Sequence, residues 1–229
     1  MNDVPLRKIV VLGGGTAGWL SALVANATIP NARVTLVESE EIGILGAGEG
    51  TTPHFIKMMD FLGIPASRIV REAGGTIKSA IKFTGWGENW RQNGHYYHGF
   101  GLFNPTQFGE FTSDFDRYSI TDLLSVYNHV APEELDFTAM YSNRHRVPFI
   151  PKRNPEEIEL ANPIFAYESF GNFAMHFDAR KLADMLKNIA TQERGVERIE
   201  GKAVKFNEDG KGNIASLELE SGEIVETDF

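Results

Sequence analysis

The 229 residues include no cysteine, which excludes a disulfide framework and a Cys-ligated metal and makes the cytoplasm the expected location. No apolar run approaches the roughly 18 to 20 residues that a membrane-spanning helix needs. Met1 to Lys8 is polar and runs directly into an apolar strand, without the h-region of a secretory signal, so no membrane role is expected. Basic blocks are lacking too. Lys and Arg number 22 against 31 Asp and Glu, and the net charge of −9 argues against nonspecific nucleic-acid binding. A local basic pocket for an anionic cofactor stays compatible with that balance. What is present suffices to bury a core, for one large domain or one and a half smaller ones, with no internal repeat and no low-complexity linker.

The most informative stretch is Ile9-Val10-Val11-Leu12-Gly13-Gly14-Gly15-Thr16-Ala17-Gly18-Trp19. An apolar, mostly β-branched run enters a G-x-G-x-x-G loop and a helical pattern opens behind it, the first β-turn-α of a dinucleotide-binding fold. Gly13 permits the tight turn, Gly15 lets the backbone approach a pyrophosphate, and Gly18 brings the helix against its strand. Leu20, Leu23 and Val24 continue at helical spacing, and Pro30 lies in the break that follows. Arg33 to Val37 then reads as a second strand. Glu38 follows Gly18 by 20 residues, the spacing of a carboxylate that accepts ribose hydroxyls. The plain alternative is a glycine turn beside a solvated acid.

A second glycine-rich loop, Ile42 to Pro53, contains Gly43, Gly46, Gly48 and Gly50, whose amides are free to approach a flat ligand. Thr52 is placed as an N-cap and Pro53 as the first helical residue, with Phe55, Met58, Met59 and Leu62 as the expected apolar stripe. On spacing alone, a cofactor loop and a flexible loop with a capped helix are equally open. Another short helix begins near Ile64 to Ser67 and ends at Gly74-Gly75.

Thr76 to Thr84 alternates as one strand, with Ile77, Ile81 and Phe83 on one face and Lys78 and Lys82 on the other, by itself the pattern of a solvated strand face. Trp86, Trp90, Tyr96, Tyr97, His98, Phe100, Phe103 and Phe108 crowd the next stretch. They make either an irregular core layer or an aromatic-walled pocket. A helix is expected over Tyr118 to Val130, a solvated basic turn at Arg144-His145-Arg146, and loops at Asn154-Pro155 and Asn162-Pro163. Short strands are expected over Ile164 to Tyr167 and Asn172 to His176. Asp178 is the expected N-cap of a helix through Leu182, Met185, Leu186 and Ile189 that closes near Gly195. Val196 to Phe206 and Ile214 to Leu219 then flank a turn as a β-ribbon, with one more strand over Glu223 to Thr227.

Taken together, Gly13 to Trp19, Gly46-Ala47-Gly48-Glu49-Gly50-Thr51-Thr52-Pro53 and Ile77-Lys78-Ser79-Ala80-Ile81-Lys82-Phe83 resemble the flavin-dependent (tryptophan-type) halogenases. That family opens with GxGxxG and Trp, continues with a GVGEAT-P segment and carries a lysine in a segment like F-K-x-x-I-x-F. His176-Phe177-Asp178-Ala179-Arg180 resembles its HFDAR segment, and the likeness runs from residue 5 to the last residue. It implies an α/β, Rossmann-like FAD-binding fold of the two-dinucleotide-binding-domain flavoprotein type, with an inserted β-rich substrate-side layer. The expected division is a Rossmann half with both glycine loops (1–75), substrate-side strands and helices (76–177), and a helix and β-ribbon returning to the FAD domain (178–229).

The resemblance also implies roles. FAD would be held by Gly13, Gly15, Thr16, Ala17, Gly18, Glu38, Ser39, Ile42, Gly48, Glu49, Gly50 and Ala203, with Glu38 and Ser39 on its adenosine half. Lys78 would relay or activate hypohalous acid, and His98 and Phe100 would line the pocket of an electron-rich, indole-like substrate. A halide ion would be co-substrate, a separate reductase would supply FADH2, no metal is implied, and a homodimer is left open. Ala47 and Gly50 stand where the family has Val and Ala, and Gly99 where it has Pro, which alters the expected pocket shape. Family members are considerably longer, so the chain is expected to be an N-terminal portion, inactive alone, that stops before the W-x-W-x-I-P segment and a second catalytic residue, a glutamate. Open beside this reading are a related flavin monooxygenase and a catalytically silent flavin-binding module.

Overall fold

A computed structural model describes residues 7–43, 46, 48–85, 95–100, 137–147, 149–151, 167–169 and 172–229. In chain order the elements begin with β1 (Lys8–Leu12), α1 (Thr16–Thr28), β2 (Arg33–Glu38), β3 (Gly48–Gly50), α2 (Pro53–Phe61), α3 (Ala66–Ala73), β4 (Thr76–Lys78), β5 (Ala80–Thr84) and β6 (His95–Gly99). There follow α4 (Phe137–Asn143), β7 (Phe149–Pro151), β8 (Tyr167–Ser169), β9 (Ala174–Asp178) and α5 (Ala179–Asn188), which runs into a π-helical turn (Ile189–Glu193). The chain closes with β10 (Glu197–Glu200), β11 (Ala203–Glu208), β12 (Ile214–Leu219) and β13 (Ile224–Glu226). The described residues form two compact units, one within Met1–Glu49, Met59–Gly75 and Phe177–Phe229, the other within Gly50–Met58 and Thr76–His176.

The first unit is built on a parallel sheet. β1 pairs with β2 from Lys8↔Arg33 to Leu12↔Val37, and β10 pairs with the other edge of β2 from Glu197↔Thr35 to Glu200↔Glu38. On the free edge of β1, the Asp228 amide donates to the Lys8 carbonyl at 2.8 Å and the Val10 amide to the Phe229 carbonyl at 3.0 Å. The order is therefore β10-β2-β1 with residues 228 and 229 alongside, the 3-2-1-4 arrangement of a dinucleotide-binding sheet. Here the structure corrects the expected ribbon. The run from Val196 to Phe206 divides at Gly201, so that β10 belongs to the parallel sheet and only β11, β12 and β13 form the antiparallel meander.

Both faces of this sheet are covered, which explains why Val34, Thr35, Leu36 and Val37 are all buried instead of alternating. One face meets α1, whose Trp19, Ala22 and Leu23 are buried, and α5 packs against both α1 and α3. On the other face Val37, Val10 and Ile199 pack with Leu217, Leu219 and Val225 of the meander. Asp178 caps α5 as expected, its Oδ1 accepting from the amides of Arg180 and Lys181 at 3.0 Å each. Those amides, Lys181 first, hold its carboxyl below the ordinary carboxylate range. α3 ends as expected on Gly74, in the left-handed conformation at φ 64°.

α2 begins at Pro53 as expected, but its phase differs. The buried side chains are Ile56, Met59 and Leu62, while Phe55 is half-buried and Met58 and Phe61 are exposed.

In the second unit β4 pairs antiparallel with β9 (Thr76↔His176 to Lys78↔Ala174), β5 with β6 (Ala80↔Gly99 to Thr84↔His95), and β7 with β8. The expected single strand over Thr76 to Thr84 is thus two, interrupted at the buried Ser79, and each pairs with a different partner. Lys78 and Lys82 consequently do not share one strand face. Arg144-His145-Arg146 is the exposed turn expected of it, with His145 at φ 54°. The expected helix over 118–130, the loops at 154–155 and 162–163 and the strand residues 164–166 lie outside the described residues, as do Trp86, Trp90, Phe103 and Phe108. No helix among the described residues is long and apolar enough to cross a membrane.

Candidate functional site

The first glycine loop leaves the carboxyl end of β1, where the Gly13 amide donates to the Val37 carbonyl at 2.8 Å. Gly13 has φ 112°, a conformation reserved for glycine, and a Cβ on Gly18 would lie 1.8 Å from the Gly13 oxygen, so both positions are sterically fixed. Gly15 differs: it sits at φ −75°, ψ 178°, open to any residue, and nothing stands within 4 Å of the Cβ it lacks. Gly14, which the motif leaves free, is also constrained, because its Cβ would fall 1.5 Å from Glu38 Oε2. Only the close packing of Glu38 reveals this; the motif carries no signal for it.

The open space has the electrostatics of an anion site. α1 carries no side-chain N-cap and no acidic residue in its first turn, so the leading amides around Thr16, Ala17 and Gly18 face the loop unneutralised. The Thr16 hydroxyl oxygen is buried and has no hydrogen-bond partner among the described residues. Free helix-end amides, an orphaned hydroxyl and a vacant Gly15 position together fit the pyrophosphate of a dinucleotide.

At the end of β2, Glu38 is nearly buried and Oε1 accepts from Arg198 Nε at 2.5 Å. Arg198 also reaches Glu40 and Glu200, and the Glu38 hydrogen bond, foremost among these contacts, raises the affinity of its guanidinium for the proton. Sequence reasoning missed Arg198, which resembles any charged strand residue until its parallel register with Leu36 is known. Ser39 is half-buried and accepts the Gly43 amide through its carbonyl at 3.3 Å, whereas Ile42 is 61% exposed. Ala203 opens β11 opposite Leu219 and packs with the Val37 cluster.

Of the second loop, Gly46 lies 3.5 Å from the Ala179 Cβ and Gly48 lies 3.4 Å from the Phe177 oxygen, measured from their absent Cβ positions. Gly48, Glu49 and Gly50 form β3 and are exposed. Ala47 is outside the described residues.

Within the second unit the structure gathers Gly50, Thr51, Lys78, Phe100 and His176. Thr51 is tied to Met175 by its amide at 2.9 Å and by its hydroxyl, which lies 3.2 Å from the Met175 oxygen and 3.0 Å from its amide. Lys78 Nζ donates to the Thr51 carbonyl at 2.9 Å and stands 5.7 Å above the Phe100 ring. The absent Cβ of Gly50 would lie 3.5 Å from Lys78 Nζ and 2.8 Å from the His176 imidazole, so the amine and the imidazole flank the same point. Partial burial lowers the Lys78 pKa from its ordinary value. Phe100 is oriented by Asn172, whose side-chain amide donates to its carbonyl at 2.9 Å, and the His98 ring stands 6.5 Å from it at 56°. Lys82 is exposed, over Tyr97 at 5.5 Å. Thr51 and Asn172 were given no site role in the sequence reading, since backbone anchoring leaves no sequence pattern.

Residues 8–229 match the family model described as tryptophan halogenase. The chain is 32% identical to the tryptophan 7-halogenase RebH of Lentzea aerocolonigenes over 98% of its own length and 41% of that protein's. It is 28% identical to the tryptophan 6-halogenase ThaL of Streptomyces albogriseolus, over 99% and 42%. Among solved structures, Xcc4156, a flavin-dependent halogenase from Xanthomonas campestris, superimposes with a TM-score of 0.70 at 26% identity, over 99% of this chain and 41% of that one. The chain thus spans about two-fifths of the length of the relatives it matches. With that family model covering nearly all of its residues, this chain belongs to the tryptophan halogenase family.

Proposed function

We propose that the protein carrying this chain is a flavin-dependent halogenase that acts on an electron-rich aromatic, with Lys78 directing the oxidised halogen to the ring. The observation that supports it most is the Lys78 amine itself, held by a backbone carbonyl, partly buried over an aromatic ring and bordered by a glycine. A solvated structural lysine needs none of these. FAD, reduced by a separate reductase, supplies when bound the oxygen chemistry that converts halide to hypohalous acid.

The residues of this chain divide the remaining work. The Gly13 to Gly18 cradle, including Gly15 and Thr16, holds the pyrophosphate, Glu38, Ser39 and Ile42 hold the adenosine half with Ala203 near the adenine, and Gly48, Glu49 and Gly50 border the flavin ring. Lys78 either donates a hydrogen bond to hypohalous acid or, as the free amine, takes the halogen on nitrogen with release of water. His98 and Phe100 present apolar and aromatic surface to the substrate. Confining the oxidant in this way keeps it from water and from other carbons.

The test is halogenated product, by mass spectrometry, from the protein carrying this chain with FAD, a flavin reductase, bromide and an indole. Bromide-dependent product is the expected result. Hydroxylated product without halide dependence would move the assignment to a flavin monooxygenase.

A further inference from the structure

The two oxygens of the Glu38 carboxylate face different environments. Oε1 receives Arg198 Nε at 2.5 Å, with Lys187 Nζ 3.9 Å away, while Oε2 is pressed over Gly14 in the glycine loop. Arg198 is itself held, its Nη2 lying 2.8 Å from Glu40 Oε1 and 2.5 Å from Glu200 Oε2. The turn after β2 is strapped to β10 from the main chain too: the Glu40 amide donates to Glu200 Oε1 at 2.8 Å and the Gly201 amide to the Glu38 carbonyl at 2.8 Å. Arg198 is thus the cation that Glu38, Glu40 and Glu200 share, on the strand next to the one that carries Glu38.

We propose that Arg198 is a positioning residue for the dinucleotide: by occupying Oε1 it fixes the Glu38 carboxylate so that Oε2 alone faces the ribose hydroxyls above the glycine loop. This rests on the FAD reading given above. Arg198 acts through Glu38, without a contact of its own to the cofactor. It also neutralises a cluster of carboxylates whose field would otherwise oppose a pyrophosphate. A lysine cannot hold three carboxylates at once in the planar geometry of a guanidinium, so it replaces the charge but only part of the orientation.

The experiment is a double-mutant cycle in the protein carrying this chain, with FAD itself as probe and the FAD dissociation constant and the cofactor-free melting temperature as readouts. Arg198→Met should raise the dissociation constant roughly tenfold, the worth of one hydrogen bond to a charged group. Arg198→Lys should fall between it and the parent. Combined with Glu38→Gln, Arg198→Met should add little further, because the group it orients has been changed. A protein that binds FAD equally well with Met at 198, or a double mutant whose losses add in full, overturns the inference while leaving the FAD reading intact. A parent that binds no FAD overturns both. If Arg198→Met lowers the melting temperature too far to be assayed, Arg198→Lys and its cycle with Glu38→Gln decide the matter alone.

Discussion

Lys78 Nζ and the Thr51 carbonyl oxygen are 2.9 Å apart, joining the strand that carries the lysine to the end of the second glycine loop. Because Thr51 is itself fixed to Met175, the amine is held by main-chain groups instead of being left to wander on a flexible stem. Lys78→Ala should therefore retain FAD and flavin oxidation but lose halogenated product by about 100-fold or more, the scale of a positioned acid or nucleophile. Lys78→Arg should not restore it, since the planar fork places its nitrogens elsewhere and is a poor nucleophile. Lys82→Ala is the control, exposed and in a different sheet, and should change stability by no more than about 0.5 kcal/mol. Product at the parent's rate from Lys78→Ala would remove Lys78 from the mechanism.

Substitutions at two glycines of the first loop should separate the proposed cofactor binding from folding. Gly15→Val adopts its backbone conformation without strain and fills vacant space, so the cofactor-free melting temperature should hold while FAD is lost. Gly18→Ala collides with the Gly13 oxygen and should lower both. Flavin absorbance retained on gel filtration, beside thermal melts without FAD, distinguishes the two patterns. Retained FAD in Gly15→Val would show that the pyrophosphate does not lie against that residue.

Asp178 makes the stability of α5 pH-dependent. Its carboxyl is held below the ordinary range by the Lys181 and Arg180 amides, so its contribution is complete above the unfolded-state pKa and is lost as pH falls through the folded-state value. The melting-temperature gap between parent and Asp178→Ala should be constant near neutrality and narrow in acid. A gap that widens on acidification would contradict the cap.

Leu186 is fully buried on α5, and Leu186→Ala should cost about 2 to 5 kcal/mol in denaturant titrations. Phe206, 53% exposed on β11, should cost far less when truncated, although both are large apolar residues.

What could be read from the sequence was local. The first β-turn-α, Glu38, the Asp178 cap and the Gly74 terminus each depend on a few neighbouring residues, and each lies where expected. Illegible were features decided by distant partners. Thr76 to Thr84 divides because Lys78 finds Ala174 while Ala80 finds Gly99, and no residue between them announces the change. β10 reads as part of a ribbon until its parallel register against β2 is known, and Arg198 gains its meaning only from that register. The phase of α2 was misjudged because Phe55, Ile56, Met58, Met59 and Phe61 are all apolar, so more than one stripe fitted.

The pairing of Lys8 and Val10 with Asp228 and Phe229 bears on how the molecule acquires its structure. The central strand of the first unit is flanked on one side by residues some 220 positions away, and β2 by a strand about 160 positions distant. Loops of that length close slowly, and their far ends are synthesised well after β1 and β2. β1 and β2 therefore leave the ribosome as a two-stranded fragment with both edges open, and neither edge is covered until the β10-to-229 segment has been made. The parallel sheet of the first unit is accordingly closed on both sides only after that segment has been made, and the Gly13 to Gly18 loop gains its full support at that point.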